Sequence, residues 1–570
     1  MSANKSDETK NAKLQNDEVG EVGEVGEVGE KSGNGEKRSN RRRFGTLGVL
    51  LVGAFVVGAF VWGNGTPEPP TEFATLDRAP TIYPDYRDAT IPPNLAPTNF
   101  DVQESAARVL TRVFEEGNDR PAAVFSGNKI RFPERKWRRL LERNVGKSLR
   151  VETFAFDLAD GENDGVAAKD EEKTSDGGWV KYADWEMRVA SEPIDPWVSY
   201  RLVVPGYEYY SDLSLWSRSL ETFETRPIVR ARLVSERTCV NCHTFQAGRT
   251  DSFFFHLRYE NPGTLVVDRG NVKKVDLNAE GLDAGCAYAA WRPNSPHIAF
   301  SSNQTSQIFH TRDANRINVV DSFSDLLLYD VEKNELTPIL PSDDDFLPTY
   351  PTWSPDGKTL YYCCAKAPDF KTPRQPIDAR KEEAAALQDD FRYDIMKLDF
   401  DEKTGKFGAP ERIFDAVALD KSAAFPRVSP DGKTLMFTLA KRGCFPIWFR
   451  DADLWTLDLT TGKARPLDEV NSPTEPDSYH SWSSNGRWFV FSSRRDDGSY
   501  TRLYFAHVGE NGEVSKPFML PQRDPTSTLN STRSFNVPEL TVEPVKLSER
   551  ELVGVAKNSA PEKAKLRPLR

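Results

Sequence analysis

The chain has 570 residues, with 75 basic and 86 acidic side chains and a formal net charge of −11 at pH 7. This length is sufficient for two or three domains with linkers and tails. The acidic balance argues against a nucleic acid as a partner, because a phosphate backbone attracts basic surfaces. Six cysteines are too few to indicate a small scaffold held together by disulfides.

Residues 1–45 contain few large apolar side chains and include a tandem Glu-Val-Gly repeat between Glu18 and Glu30. A segment of this composition cannot bury enough surface to offset the entropy of ordering the chain. We therefore predict that residues 1–45 form a disordered, acidic N-terminal tail.

An uncharged apolar run at residues 46–62 directly follows an arginine cluster at positions 41–43. Its length is at the short end of the range that spans a bilayer. The arginines place the N-terminus in the cytoplasm by the positive-inside rule. We predict a single transmembrane anchor at residues 46–63 in the inner membrane, with all later domains in the periplasm. A cleaved signal peptide is the alternative, and it also exports everything after Gly63.

Proline and threonine are frequent in residues 64–99, for example in the stretch IPPNLAP. This density of proline interrupts helices and central strands. We therefore predict an extended stalk that separates the membrane from the first folded domain.

Residues 100–235 show the alternating apolar pattern of short strands, which predicts a β-rich, sandwich-like domain. A short amphipathic helix is expected at residues 133–144. Several aromatic side chains lie near the end of this domain, and they are expected either to pack in its core or to form a sugar-binding platform. They are Trp197, Tyr200, Tyr207, Tyr209, Tyr210 and Trp216.

The stretch Cys239-Val240-Asn241-Cys242-His243 matches the C-x-x-C-H pattern of covalent haem attachment. Two thiols held apart by two residues can each form a thioether with one vinyl group of haem. The histidine that follows can then bind the iron as its proximal ligand. Because haem c is attached outside the cytoplasm in bacteria, the exported location supports the same conclusion. We predict an attachment segment at residues 236–260 that carries haem c and its iron.

Two other site types also use paired cysteines. A redox-active C-x-x-C has no need of the adjacent histidine. A zinc site needs a second spaced pair of ligands, whereas Cys363 and Cys364 are adjacent in sequence. The cysteines outside the motif lie in apolar, strand-like segments and are expected to be small buried side chains, with a disulfide among them as the alternative.

His256 is the candidate for the second, distal iron ligand. Alternation along its strand places it on one face with Phe254 and Arg258, and Arg258 on that face can pair with a haem propionate. The opposite face carries Phe253, Phe255 and Leu257. The alternative is that His256 only forms hydrogen bonds within the fold. His310, in a polar loop, is a weaker candidate ligand.

Four related segments follow the motif, and they begin at Trp291, Trp353, Val428 and Trp482. Each contains a turn such as Ser-Pro-Asp-Gly between two alternating strands, and a further strand pair follows. Asp-Gly and Asn-Gly favour the positive φ of tight hairpins. Four-stranded units repeated at such intervals predict a β-propeller, here at residues 261–545. The hairpin from Gly263 and the C-terminal stretch RSFNVPELTV are candidates for completing the ring, and residues 546–570 are predicted to be a disordered tail.

These hairpins resemble the TolB-like propeller repeat. The wider pattern of IPPNLAP, PWVSYRLVVPGYEYY, TCVNCHTF, DSFFFHLR, QIFHTRDANRI, SDLLLYD and SFNVPEL resembles a family of bacterial exported proteins. Members of that family carry one C-x-x-C-H haem motif ahead of a TolB-like propeller. The resemblance covers roughly residues 81–544 and implies a membrane-attached periplasmic cytochrome, but no particular reaction.

The expected fold class is mainly β, with a transmembrane helix, a sandwich-like domain, the haem segment and the propeller. The first functional hypothesis is electron transfer, with a periplasmic redox or envelope protein as the partner. The alternatives are a binding or sensing module for an envelope protein or glycan, and an oxidoreductase with its substrate beside the haem. A filled sixth position on the iron favours electron transfer, and an open position favours the alternatives.

Overall fold

The first folded part of the chain is a β-rich domain that precedes the propeller. The computed structural model describes residues 68–158, 178–204, 207–313, 315–374 and 377–569, all within one compact unit. The N-terminal domain contains β1 (Ala74–Thr75), β2 (Ile82–Tyr83), β3 (Thr90–Ile91), β4 (Phe100–Val102), β5 (Ala106–Glu115), β6 (Ala123–Ser126), β7 (Lys129–Ile130), α1 (Glu134–Arg143), β8 (Ser148–Leu158), β9 (Trp179–Lys181) and β10 (Trp185–Val189).

Two sheets and one helix form the core of this domain. One sheet has the order β1-β9-β8-β10-β3 and gains β5 and β6 through β8, while β2, β4 and β7 form the other. Helix α1 buries Trp137, Leu140 and Leu141, which confirms the predicted amphipathic helix. Trp488 and Phe505 from the last part of the propeller belong to the same core, so the domain packs directly on the propeller.

The predicted stalk at residues 64–99 is instead folded wherever the structure describes it. Its short strands β1, β2 and β3 pair with β9, β4 and β10. Ile82, Tyr86 and Ile91 are buried in the domain core. Proline prevents long strands, but two-residue strands joined by turns tolerate it. The predicted stalk is wrong because the apolar side chains between the prolines are buried in the domain core.

The propeller is built from the strands that follow. They are β11 (Trp197–Val203), β12 (Ser214–Ser219), β13 (Thr225–Arg230), β14 (Thr238–Gln246), β15 (Arg249–Tyr259), β16 (Gly263–Asp268), β17 (Asn271–Asp276), β18 (Cys286–Trp291), β19 (His297–Phe309), β20 (Ile317–Asp330), β21 (Glu335–Pro338), β22 (Phe346–Trp353), β23 (Thr359–Lys366), β24 (Tyr393–Asp401), β25 (Lys406–Phe407), β26 (Glu411–Phe414), β27 (Ser422–Val428), β28 (Thr434–Ala440), β29 (Asp453–Asp458), β30 (Ala464–Pro466), β31 (Asp477–Trp482), β32 (Trp488–Ser493), β33 (Arg502–His507), β34 (Phe518–Met519) and β35 (Ser534–Thr541). Three helices and two short strands accompany them: α2 (Ala231–Val234), α3 (Ile377–Ala386), α4 (Glu549–Asn558), β36 (Glu562–Lys563) and β37 (Lys565–Leu566).

These strands form six blades, which we number I to VI. From the centre outwards, blade I is β35-β11-β12-β13, blade II begins with β14, blade III with β18, blade IV with β22, blade V with β27 and blade VI with β31. The innermost strands contact one another in succession, and β35 contacts both β31 and β14. The ring therefore closes, and the described residues from Trp197 onwards form a six-bladed β-propeller in which the last innermost strand joins the first blade.

The predicted hairpin turns are present between the first two strands of blades III to VI. In blade IV the Ser354 hydroxyl donates to Asp356 at 2.6 Å, and Gly357 has a φ of +67°. Gly432 and Gly486 occupy the equivalent places with φ of +74° and +67°. Glycine adopts this conformation without strain, which is why the repeats carry it. The propeller part of the sequence-based prediction is confirmed.

The propeller begins and ends outside the predicted residues 261–545. Residues 197–230, which had been placed in the sandwich-like domain, supply the three outer strands of blade I. The predicted haem segment at residues 236–260 supplies β14 and β15 of blade II. These two blades lack the Pro-Asp-Gly type of turn, so the four repeats did not mark them. The two candidates for completing the ring are confirmed, because the Gly263 hairpin forms β16 and β17 of blade II and the RSFNVPELTV stretch forms β35 of blade I.

The predicted disordered tail at residues 546–570 is also ordered where it is described. Helix α4 starts at a capping box formed by Ser548 and Glu551, and it buries Leu552 and Ala556. Strands β36 and β37 each add an outer strand, to blade II and blade III respectively. The spacing of Ser548 and Glu551 is a helix-start signal that the sequence analysis missed.

Among the described residues, no helix is long and apolar enough to cross a membrane. The predicted anchor at residues 46–63 and the predicted tail at residues 1–45 lie outside the described residues. Both therefore stay predictions from the sequence.

Candidate functional site

The innermost strand of every blade carries a β-bulge at an equivalent position. At that point two residues of the innermost strand lie opposite one residue of its neighbour. A bulge of this kind bends the strand and redirects its side chains. From blade I to blade VI the bulged pairs are Val537 and Pro538, Cys242 and His243, Ala287 and Tyr288, Tyr350 and Pro351, Phe425 and Pro426, and Tyr479 and His480.

The bulges build one cavity at the centre of the propeller. The first residue of each bulged pair lines this cavity, whose volume is about 610 Å³. Five of these six residues have a left-handed backbone: Cys242, Tyr350, Phe425, Tyr479 and Val537, with φ between +46° and +53°. Positive φ is uncommon outside glycine and is an outlier for a β-branched residue such as Val537. Backbone strain of this kind is concentrated at functional sites.

The C-x-x-C-H motif lies on β14, the innermost strand of blade II. Cys239 and Cys242 are three residues apart, so a regular strand would direct them to opposite faces. The bulge at Cys242 and His243 removes this conflict, because it inserts one residue after Asn241. Both cysteines and His243 consequently line the same cavity. The sequence predicted that these three residues belong to one site. It did not predict the bulge that directs them to the same cavity.

His243 is buried without a hydrogen bond to either ring nitrogen among the described residues. Burial, followed by the nearby Arg201 guanidinium, lowers the pKa of His243 to about 3. The ring is therefore neutral at physiological pH and has a lone pair available. A neutral imidazole is the form that binds a metal.

Glu539 lies next to His243, on the strand that closes the ring. Its Oε1 is 4.0 Å from Nε2 of His243 and has no hydrogen bond within the described chain. Its Oε2 accepts hydrogen bonds from the Phe245 amide at 3.0 Å and the Thr244 hydroxyl at 3.2 Å. Burial raises the pKa of Glu539 to about 7. The carboxyl is thus held in place by the residues that follow the motif and faces its histidine.

His256 lies opposite Asn241 on β15 and also lines the cavity. Its Nε2 is 3.3 Å from the Ala287 carbonyl and its Nδ1 is 2.7 Å from the Thr264 hydroxyl. Since a carbonyl only accepts, Nε2 carries the proton and Nδ1 accepts from Thr264. Burial, then Arg258, lowers the pKa of His256 to about 3. In this arrangement both ring nitrogens are engaged by the protein.

The predicted faces of β15 are present in the structure. Phe253, Phe255 and Leu257 belong to a core that they share with Val240. Phe254 belongs to a different core, beside the His256 ring at a centroid distance of 5.4 Å. The alternation read from the sequence therefore placed His256 on the cavity side.

His310 does not join the other candidate ligands. It follows the end of β19, is half-buried, and has its Nε2 3.3 Å from Oε1 of Gln388. It is absent from the cavity lining, as is His480, whose Nε2 is 3.0 Å from the Met436 carbonyl. The structure brings together Cys239, Cys242 and His243 with His256, and leaves His310 outside the site.

Three arginines line the cavity: Arg201, Arg258 and Arg427. None of them has a carboxylate ion-pair partner within 4.0 Å in the part of the chain that the structure describes, and the only acidic residue in the lining is Asp276. Desolvation lowers the pKa of the half-buried Arg427 guanidinium, with the Glu539 carboxyl opposing that shift. Arginine pairs well with carboxylates. The cavity can therefore hold an anionic ligand.

Several of these residues were not predicted from the sequence: Arg201, Arg427, Glu539 and the aromatic cavity residues Tyr288, Tyr350, Phe425 and Tyr479. Glu539 stands 294 residues after Phe245, the residue whose amide it binds. Such contacts depend on the order in which the blades close, and no local pattern encodes them. The stretch SFNVPEL around Glu539 was predicted to help complete the ring, but Glu539 itself was not predicted as a site residue.

The alternatives to haem fit the motif less well. Burial raises the pKa of the Cys239 thiol, whereas reactive cysteines have lowered values. No group of three or more His, Cys, Asp or Glu that could hold a metal ion occurs within the described ranges. Haem iron does not need such a group, because the porphyrin supplies four of its ligands. All six cysteines are free, so the alternative of a disulfide is not realised.

The residues present fit a haem. Two thiols and a buried imidazole without a hydrogen bond among the described residues line one cavity. The cavity arginines are the side-chain type that pairs with carboxylates such as the two haem propionates. The cavity volume lies in the range of about 300 to 1,000 Å³ that is usual for ligand pockets. Its lining combines aromatic rings with a few polar groups, as cofactor sites commonly do.

No family model matches the chain, and no curated protein matches it. Solved structures similar to it include TolB from Acinetobacter baumannii, at 15% identity over 61% of this chain and 67% of TolB, with a TM-score of 0.38. An oligogalacturonate lyase in complex with manganese matches at 14% identity over 56% of this chain and 73% of its own, with a TM-score of 0.32. The hydrazine synthase of Kuenenia stuttgartiensis matches at 12% identity over 49% and 65%, with a TM-score of 0.27. Likenesses this distant carry no argument about activity, and the strand order of the chain itself establishes the propeller.

Proposed function

We propose that this chain is an exported, membrane-anchored c-type haem protein that transfers electrons. One observation carries the proposal: Cys239, Cys242 and His243 line the same cavity, and the His243 imidazole has no hydrogen bond among the described residues. The apolar run at residues 46–62 supports export, which haem c requires. The partner is a periplasmic redox or envelope protein, and the membrane is contacted through the single N-terminal helix.

Each cavity residue has a role in this proposal. Cys239 and Cys242 hold the haem through thioethers, and His243 ligates the iron. Arg201 and Arg258 pair with the propionates, since both are cavity arginines without a carboxylate partner among the described residues. When bound, the haem supplies a one-electron couple. The propeller keeps water from the buried imidazole and holds it neutral.

The test uses the full chain produced together with haem-maturation machinery. A denaturing gel stained for haem, and spectra of the oxidised and reduced protein, report covalent attachment and redox activity. We expect the wild type to keep its stain, and Cys239→Ala combined with Cys242→Ala to lose it. Cys286→Ala is the matched control, because Cys286 lines the same cavity outside the motif. A wild-type protein that loses its haem on denaturation would contradict the proposal.

A second candidate function is a sensor or an enzyme that binds a small molecule at the iron. It is favoured by the hydrogen bonds of His256 to Thr264 and Ala287, which leave no ring nitrogen free for iron. If His256 were to ligate the iron, it would have to give up one of these hydrogen bonds. The two functions therefore differ in the state of the sixth position.

Carbon monoxide distinguishes the two functions. If His256 is the distal ligand, the reduced wild type is low-spin and does not bind carbon monoxide, and His256→Ala becomes high-spin and binds it. If His256 keeps its hydrogen bonds, the wild type itself binds carbon monoxide and the variant changes little. His310→Ala is the control, since His310 lies outside the cavity lining.

A further inference from the structure

Asp321, on β20, is a carboxyl buried in the propeller with an exposure of 0%. Its Oδ2 accepts hydrogen bonds from Asn303 Nδ2 at 3.0 Å and from the Tyr393 hydroxyl at 3.1 Å, and Cys444 Sγ lies 3.9 Å away. Its Oδ1 has no partner among the described residues. All of its polar neighbours are thus neutral donors.

Two other buried carboxyls of this chain are held differently. Asp477 pairs with Arg495 at 2.8 Å, and Asp101 pairs with Arg131 at 2.5 Å. For Asp321 no basic side chain lies within ion-pair distance in the described ranges. Removing a carboxylate from water without a counter-charge is costly, and such a group tends to take up a proton instead. Asp321 is therefore poised to exchange a proton.

The carboxyl adjoins the central cavity. Asn303 donates to Asp321 and lines the cavity itself. Tyr350 and Tyr288 also line the cavity, with ring centroids 4.2 Å apart, and the Tyr350 hydroxyl is buried without a partner in the described chain. The titratable groups facing Asp321 are Tyr393, Cys444 and Tyr288, and burial raises the pKa of each of them above its usual value. These groups stay neutral at physiological pH, so Asp321 is the titrating member.

A purely structural role does not explain why position 321 carries an aspartic acid and not an asparagine. Asn303 and Tyr393 both donate, so an amide oxygen at position 321 would accept the same two hydrogen bonds. It would do so without burying an ionisable group. Burial raises the pKa of Asp321 to about 7. The hydrogen bonds from its three donors oppose this shift in part. The acid thus titrates where a proton can be gained and lost under physiological conditions.

We propose that Asp321 takes up a proton when the cavity haem gains an electron and releases it when the haem is oxidised. This inference rests on the proposed function. One electron arrives from the partner protein and one proton from solvent, so the added negative charge is balanced at the carboxyl. Electron transfer by this chain is then coupled to proton transfer.

The coupling is measured as the midpoint potential of the haem against pH, by optical redox titration of the intact holoprotein between pH 5 and 9. An ionised Asp321 favours the oxidised, more positive iron. We therefore expect the wild-type potential to fall as the pH rises through about 7. Asp321→Asn should remove the part of this fall that Asp321 contributes. Glu539 beside His243, whose pKa burial also raises to about 7, contributes the remainder.

Asp453→Asn is the matched control. Burial also raises the pKa of Asp453 on β29, to about 6. The Asp321 donor Asn303 lines the cavity, whereas the charged groups that act on Asp453 all lie outside the cavity lining. We expect this variant to keep the wild-type pH dependence. If Asp321→Asn keeps the wild-type fall, or if both variants lose it, the proposal is overturned.

Tyr393→Phe provides an independent test should Asp321→Asn not fold. The Tyr393 hydroxyl donates to Asp321 and lowers its pKa. Its removal should move the fall in potential to higher pH, and an unmoved curve would contradict the proposal. A protein without covalent haem would refute the proposed function instead, so the two failures are distinguishable.

Discussion

His243 shows most clearly what single residues contribute to the site. Two buried ring nitrogens without hydrogen bonds each destabilise the fold by about 1 to 3 kcal/mol unless a ligand satisfies them. The spacing of Cys239, Cys242 and His243 was readable from sequence because the chemistry of attachment is local. The role of Glu539 could not be predicted from the sequence, because β35 brings this residue next to His243 only when the propeller ring closes.

Glu539 is expected to act on the iron through His243. Glu539→Gln keeps an oxygen that accepts from the Phe245 amide but removes the carboxylate charge that lies 4.0 Å from Nε2 of the imidazole. A negative charge beside a ligand histidine stabilises the more positive, oxidised iron. We therefore expect the midpoint potential of Glu539→Gln to rise above that of the wild type.

Glu539→Ala separates this effect from packing. It also leaves the Phe245 amide without its acceptor, so it should lower the free energy of unfolding by about 1 to 3 kcal/mol. Chemical denaturation and redox titration of both variants measure the two quantities. A glutamine variant with the wild-type potential would show that Glu539 is structural only.

At the scale of elements, the bulged innermost strands connect the fold to the site. Hairpins with Asp-Gly or Asn-Gly turns were predictable because glycine at a positive φ is a strong local signal. Blades I and II were predicted only in part, through the Gly263 hairpin and the stretch that forms β35, because their other strands lack that turn and β35 joins blade I from the far end of the chain. The predictions of an extended stalk and a disordered tail were wrong because they rested on proline and charge content. Apolar residues in these segments, such as Tyr86 and Leu552, are buried.

Strand β35 is expected to be essential for the ring. A chain ending at Arg533 lacks β35, so the inner edge of β11 loses its partner and blades VI and II lose their shared neighbour. We expect this truncation to lose cooperative thermal unfolding as followed by circular dichroism.

A chain ending at Ser559 is the control for this truncation. It retains β35 and α4 and lacks only the outer strands β36 and β37. It should unfold cooperatively at a slightly lower temperature than the wild type. Wild-type unfolding of the chain that ends at Arg533 would contradict the assignment of β35 as the closing strand.

At the scale of the whole molecule, the N-terminal domain and the propeller share one hydrophobic core. Leu95 and Trp137 from the domain and Leu540 from β35 all contribute to it. The two parts therefore stabilise each other. The membrane anchor is a separate prediction from residues 46–62.

The orientation of the chain can be tested by a reporter that is active only in the periplasm, fused after Arg570. We expect an active fusion in the membrane fraction, because the arginines at positions 41–43 keep the N-terminus in the cytoplasm. An inactive fusion would contradict export. Soluble mature protein that begins near Gly63 would show a cleaved signal peptide in place of the anchor.

The most direct test of the haem proposal is mass spectrometry of the peptide that contains residues 239–243, from protein matured in a host with haem-attachment machinery. We predict that this peptide carries the mass of one haem, bound through Cys239 and Cys242, after complete denaturation. Recovery of the unmodified peptide with two free thiols would contradict the account.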